Sequence, residues 1–445
     1  MNKIRKKCYL KIEFKLLSPL NVGSGASLST DKDIIKDPDG IPYIPASTVA
    51  GVVRDKFKEK YGDEMCAQEI NKYFGNVKKR KAGVIEKNDD DRESIESRLL
   101  FYDAIINTEN EGVNHISIRD SVALDEHKTA KKGAKFDMEV LGPGVRFITY
   151  VEQNIYSDAD KDYLQLVADI FSSGLMFGAK TTRGYGKTGE VKTYFKSFAF
   201  TEGSDNTLDD WLDFNLYSYD GWGDPSTQSE YGSAVGWTII VALELKGGIS
   251  ICRYTTQPHE KEEIIPDMEH LTSYDGEQQI VPVIPGTSWA GAFRHRMGEF
   301  GVDIDSENSI FGFAGPRSNE RTRIRKKSKL VFSESVIHNA VEKVLSRNAI
   351  DRFSGGTANG AFYTEKTCYG GNTDLVISWR GKEKISENDR KALAAVLTDL
   401  HYGFLAVGGE TSIGRGLFLI TEINGKPIGV DAYEDISKIL SEVAK

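Results

Sequence analysis

The chain has 445 residues, about three times an ordinary domain, so two or three domains are expected in place of a single core. Hydrophobic residues make up 39% and charged residues 28%, a globular balance, and no apolar run approaches the roughly 18 residues that span a bilayer. The formal charge of −9 argues mildly against nucleic acid, but the acidic residues gather in 87–94 and 202–230 and leave basic segments elsewhere.

From the N-terminus, "MNKIRKKCYLKIEFKLLSPLNV" begins with basic residues and then alternates apolar and polar positions as a strand does. It lacks the apolar stretch of a signal peptide, so a cytoplasmic protein with no membrane partner is expected. The Asp-rich "DKDIIKDPDG" (31–40) runs into a Pro-bracketed turn, "IPYIPASTVAGVVR" (41–54), and an amphipathic helix over 47–61. Pro45 stiffens the approach, Ser47 or Thr48 can cap the helix, and Ala50 and Gly51 leave room for a close approach. Free amides at such a helix start bind phosphate, and Arg54 adds a cation. A basic run with Lys78, Lys79 and Arg80 follows an "FG" turn. Strands at 98–107 and 145–156 and a helix at 161–175 lead to the glycine loop "FGAKTTRGYGK" (177–187) and the strand "TGEVKTYFKSF". The loop follows a helix, so it is no Walker-type phosphate loop. Its glycines, interleaved with Lys180 and Arg183, suit either a sugar-phosphate backbone or a plain helix-to-strand connection.

The order then repeats. "VPVIPGTSWAGAFR" (281–294) sets Thr287, Ser288 and Arg294 where Ser47, Thr48 and Arg54 stood. "IFGF" (310–313) answers "YFGN" (73–76), and "SKLVFSES" (328–335) answers "SRLLFYDA" (97–104). "IDRFSGGTANGAFYTE" (350–365) answers "LDEHKTAKKGAKFDME" (124–139), and "GGETSIGRG" (408–416) answers "GAKTTRGYG" (178–186). Five matches in one order mean a tandem duplication, with domains at 1–199 and 236–445 and an acidic linker at 200–235. Trp211, Phe214, Tyr217 and Trp222 predict that part of the linker docks on a domain. Each copy reads as strands with two helices on one side, an α+β, ferredoxin-like arrangement. A second basic run holds Arg323, Arg325 and Lys326 just after the second "FG" turn, and basic runs at repeat-related positions point to a tracked polyanion. In the second glycine loop Glu410 and Ile413 replace Lys180 and Arg183, which weakens phosphate contact there. The four cysteines have no CxxC spacing and the histidines no HExxH pattern, which argues against a zinc site.

The Asp-rich segment closing on "PYIPAST", the internal "RLLFYDA" and the late glycine loop resemble the RAMP superfamily of CRISPR-associated proteins. "DKDIIKDPDGIPYIPASTVAGVVR" is similar to backbone subunits of type III effector complexes, and the whole chain looks like two such subunits fused, as in type III-D forms. The resemblance implies two RNA-recognition-motif-like domains with inserted thumb hairpins at 124–139 and 350–365. It implies a guide CRISPR RNA, complementary target RNA and other effector subunits as partners. It also implies metal-dependent cutting of target RNA by an Asp upstream of "KDP". That role falls on Asp31, which would hold a divalent ion such as Mg2+, with Asp33 near enough to shift the assignment by two. In the second copy no Asp stands at the same distance, and Asp267 is the nearest candidate, beside Glu269 and Asp275. Two other readings stay open. One is a scaffold without cutting; the other is a metal-independent ribonuclease processing guide precursors, whose general base would come from His127, His259, His270 or His295.

Overall fold

The computed structural model describes residues 3–25, 29–62, 67–75, 95–107, 116–124, 130–200, 208–218, 220–227, 236–254, 266–277, 279–315, 324–381 and 383–444. Lys78, Lys79, Arg80, Arg323, His127 and His259 lie outside the described residues.

The first copy runs β1 (Lys6–Leu16), α1 (Ala46–Tyr61), α2 (Ala67–Phe74), β2 (Leu99–Phe101), a hairpin of β3 (Ile116–Leu124) and β4 (Ala130–Leu141), β5 (Arg146–Ile155), α3 (Leu164–Ser172) and β6 (Thr188–Ala199). Period-two alternation in β1 turns Cys8, Leu10, Ile12, Phe14 and Leu16 into the core and sets Lys7, Tyr9 and Lys11 on the opposite face. β1 lies between β5 and β6, antiparallel to both, and β2 extends the sheet beyond β5. Helices α1 and α3 cover the apolar face through Val49, Val53 and Phe57, and through Val167, Ile170 and Phe171. The Phe14 ring lies 5.5 Å from Phe147 and 5.8 Å from Phe171. Each such buried ring contributes roughly 1.5–3 kcal/mol.

The linker is partly built into this copy. Its short helix α4 (Leu208–Asp213) and the residues after it cross the face of the sheet that the other helices leave open. Trp211 Nε1 donates to Tyr9 Oη at 2.8 Å, and the Phe214 ring sits 5.4 Å from Tyr9 and 5.2 Å from Phe198. Trp222 and Tyr217 cover Tyr150, and β7 (Ser226–Thr227) pairs with β6 as an added edge strand. The aromatic residues that predicted docking are the ones that dock.

The second copy repeats the plan: β8 (Thr238–Lys246), α5 (Gly286–Glu299), β9 (Leu330–Phe332), a hairpin of β10 (Val341–Arg347) and β11 (Tyr363–Tyr369), β12 (Asn372–Trp379), α6 (Glu387–Tyr402), β13 (Leu417–Ile423) and α7 (Ala432–Val443). Its sheet order, β9-β12-β8-β13, matches β2-β5-β1-β6, the strand order of a ferredoxin-like unit. Both copies are therefore α+β with an inserted hairpin. The segment "KLVFSESVI", which reads as one strand, is broken: Leu330–Phe332 joins the main sheet and Ser335–Val336 pairs with Ile280–Ile284. Helices α2 and α7 add to the sequence expectation, α7 being capped by Asp431, which accepts from Glu434 N at 3.1 Å. No helix among the described residues is long and apolar enough to cross a membrane.

Candidate nucleic-acid interface

The first copy's glycine loop turns through a short 3-10 segment, Thr181–Arg183, with Lys180 and Gly184 in the left-handed region on either side. One edge of it packs directly on the second copy. A Cβ on Gly184 would fall 2.6 Å from Ser333 Cα, and one on Gly286, at the start of α5, would fall 2.4 Å from the Arg183 carbonyl oxygen. Glycine is required at both places, because backbone meets backbone there.

The loop's other edge lines a cleft of about 590 Å³ whose far wall comes from the second copy. Lys180, Thr181 and Thr182 of the first copy line it together with Arg294, Lys326 and Lys327 of the second, and Phe311 and Phe313 from the second "FG" turn complete the lining. Arg294 donates to Asp305 Oδ1 at 2.7 Å and to the Ile304 carbonyl at 2.8 Å. Arg183 is not part of the cleft lining: its Nη1 is buried and makes no hydrogen bond. Burial, and then the neighbouring Arg294, lower its affinity for its proton. Lys180 donates to Ser121 Oγ at 3.1 Å and lies over the rings of Phe136 and Tyr185. Burial first, then Lys32, Arg119 and Arg183, pull its pKa down to about 8. A cleft that crowds cations from both copies is stabilised by an incoming anion. Arg325 stands exposed beside Lys326.

The predicted helix-start sites differ from this. Neither Ser47 nor Thr48 caps α1: Pro45 occupies the cap position, and the Ala46 amide donates to Asp103 Oδ1 at 2.6 Å. A carboxylate from the chain itself thus takes the place expected for a phosphate. Thr287 and Ser288 likewise make no cap, and the start of α5 is covered by the first copy's loop. Arg54 points to α2, donating to Asn71 Oδ1 at 2.9 Å, and stands apart from the cleft.

The four aspartates of 31–39 divide by what they hold. Asp37 closes its own turn by accepting from Asp39 N and Ile41 N. Asp33 is buried and accepts from Ser29 N, Thr30 N and Thr30 Oγ1, so its carboxylate is turned inward. Asp31 is exposed and makes a reciprocal pair with Asp137 of β4: Asp31 N donates to Asp137 Oδ1 at 2.7 Å, and Asp137 N donates to Asp31 Oδ2 at 3.1 Å. Next to them Phe136 carries Lys32 on its ring at 4.7 Å and Lys180 at 4.8 Å, which joins the acidic loop to the cleft. In the second copy Asp267 pairs with β11 at Thr364, one residue beyond Tyr363, the aligned counterpart of Asp137. It is exposed, donates its amide to the Thr364 carbonyl at 2.9 Å, and accepts from Thr364 N at 2.7 Å. Its partner is a threonine where Asp31 has a second carboxylate.

Phe136 and Asp137 escape a sequence reading because nothing at 136–137 alone marks them; only the fold of the hairpin over the acidic loop brings them to the site. Among the described residues no three His, Cys, Asp or Glu side chains gather into a metal-binding group. His270 is buried in hydrogen-bonding distance of the Val283 carbonyl, with its pKa lowered to about 4, first by burial, and His295 pairs with Glu299. Neither faces the cleft.

Comparison with known proteins agrees with the duplicated architecture. The CRISPR system Cms endoribonuclease Csm3 of Methanocaldococcus jannaschii is 27% identical over 201 residues, which cover 40% of this chain and 75% of that relative. A family model described as the RAMP superfamily matches twice, over residues 13–188 and 241–418. These two matched regions frame the two ferredoxin-like units, and the chain belongs to the RAMP superfamily.

Proposed function

We propose that the chain is a backbone subunit of a type III CRISPR effector complex that holds a guide CRISPR RNA in the cleft between its two copies and cleaves complementary target RNA beside Asp31. The observation that carries the binding half is the cleft lining, which sets Lys180 of the first copy with Arg294, Lys326 and Lys327 of the second. An RNA phosphate lying there meets cations from both copies. The half-buried Phe313 in the cleft lining offers an aromatic face for a base. Other effector subunits would meet the chain at its open ends, and the similarity to a relative named as an endoribonuclease supports cutting.

For the chemistry, Mg2+ binds through one or two carboxylates and keeps waters and phosphate oxygens as its other ligands, so Asp31 and Asp137 are a donor set that fits it. Bound there, the ion would neutralise charge on the phosphate under attack. The chain's own residues do the rest. Lys180 and Arg294 hold the backbone, and the β3–β4 hairpin sets Asp137 against Asp31. Asp33 keeps the acidic loop in shape.

The scaffold-only reading draws on one observation: two carboxylates, without a third ligand among the described residues, stand at the site. The experiment that separates the two is purification of the chain with its bound nucleic acid, followed by addition of complementary RNA and Mg2+. Guide-length RNA together with defined cuts supports the proposal. Guide-length RNA with intact target leaves the scaffold, and no copurifying RNA removes both.

A further inference from the structure

Arg119 lies on β3, in the hairpin of the first copy, yet its guanidinium is buried at the junction with the second. It forms a two-pronged pair with Glu334, Nη2 standing 3.0 Å from Oε1 while Nη1 contacts Oε2. The same guanidinium donates to Ser273 Oγ at 2.7 Å and to Tyr185 Oη at 3.2 Å. Glu334 and Ser273 belong to the second copy; Tyr185 belongs to the first copy's glycine loop. Ser121, two residues along β3 and therefore on the same face, accepts from Lys180 of that loop. One strand thus ties the hairpin and the glycine loop to each other and both to the opposite copy. Glu334 is adjacent to Ser333, the residue against which Gly184 packs.

Among the described residues the arrangement occurs once. Asp103 stands in the first copy where Glu334 stands in the second, and it is turned to the Ala46 amide. Arg415 stands where Tyr185 stands, and it is held inside its own copy by Glu365 and Glu410. The glycine loop of the second copy therefore has its counter-charges at home.

We infer that Arg119 is a positioning residue: its pair with Glu334 fixes the first hairpin and the first glycine loop at one offset from the second copy, so that the separation of the two hairpins is set within the chain. The value of this offset for an RNA lying in the cleft rests on the function proposed above, but the offset itself is a property of the free protein. Fixing it requires a rigid, directional contact, and a bidentate Arg–carboxylate pair supplies one where a single lysine would not.

The test measures distance between the hairpins without RNA, so it stands or falls apart from the RNA reading. Spin labels go on Lys135→Cys and Lys343→Cys, both exposed and one on each hairpin, with Cys66 and Cys252 replaced by serine. Pulsed dipolar spectroscopy is expected to give one narrow distance. Removing one partner alone leaves an unpaired buried charge and risks unfolding, so the pair is removed together as Arg119→Met with Glu334→Leu. That variant is expected to fold, and its distance distribution to widen at least about twofold. Arg119→Lys keeps the charge but loses the fork, and its distribution is expected to fall between the two. A distribution as narrow as the starting one in both variants, or in Arg119→Lys if the double variant does not fold, overturns the inference.

Discussion

At the start of α1 the Ala46 amide is taken by Asp103, and Ser47 stands in solvent. At the start of α5 Gly286 is buried under the Arg183 carbonyl, and Glu334, the counterpart of Asp103, has turned to Arg119. The glycine loops divide the same way. Gly184 is pressed against Ser333, whereas a Cβ on its twin Gly414 would meet nothing within 4 Å. Two copies of one fold thus dock through different surfaces, the first copy's glycine loop against the second copy's helix start, while Ser47 and Gly414 stay exposed. Such a contact is heterologous, with a different surface on each side. Duplication supplied the pair of devices, and docking gave them different tasks.

The sharpest way to break the comparison is at the two aspartates. Asp31→Ala is expected to slow one cut in complementary RNA by at least about 100-fold with binding retained, and Asp137→Asn to do the same. Asp267→Ala, whose partner is Thr364, is expected to leave the cut pattern unchanged; loss of a second cut would show both copies to be active. Asp33→Ala serves as the control, because it opens a turn and is expected to lower thermal stability before it lowers cleavage at permissive temperature.

At the glycine loops the contrast is one of stability. Gly184→Ala combines a left-handed backbone with overlap against the second copy and is expected to cost about 3 kcal/mol in urea unfolding. Gly414→Ala carries the same backbone strain in open space, at about 1 kcal/mol. Equal losses would mean that the two copies do not dock as described.

The smallest effect separates Lys180 from Glu410. With its pKa near 8, Lys180 is charged below that pH and loses its proton as the pH rises through it. A polyanion favours the charged form, so RNA affinity is expected to hold below about pH 8 and to fall above it by roughly tenfold at most. Lys180→Arg is expected to remove that dependence, since arginine stays charged. A pH profile identical in Lys180→Arg and the parent would place Lys180 away from the RNA.

Much of this was legible in the chain before folding. Period-two alternation in 6–16 and the ordered repeats gave strands, helices and the duplication, because burial of one face dictates spacing. Lys180, Arg294 and Lys326 were visible as cations in repeat-related motifs. That they meet in one cleft was not visible, because the cleft is made by docking, and docking depends on Gly184, Gly286 and Arg119, whose partners lie more than a hundred residues away. The helix starts misled for a related reason: a local pattern shows free amides but cannot show that Asp103 has been folded onto them.

The central claim is that RNA lies in the cleft assembled from both copies. Photo-crosslinking with 4-thiouridine RNA, read by mass spectrometry of the crosslinked peptides, tests it most directly. Crosslinks are expected to peptides from both walls, one spanning Gly178–Thr182 and one spanning Phe311–Lys327, with their joint loss in Lys180→Met combined with Arg294→Met. Crosslinks confined to the open sheet face around Thr238–Lys246, with both cleft walls unmarked, would contradict it.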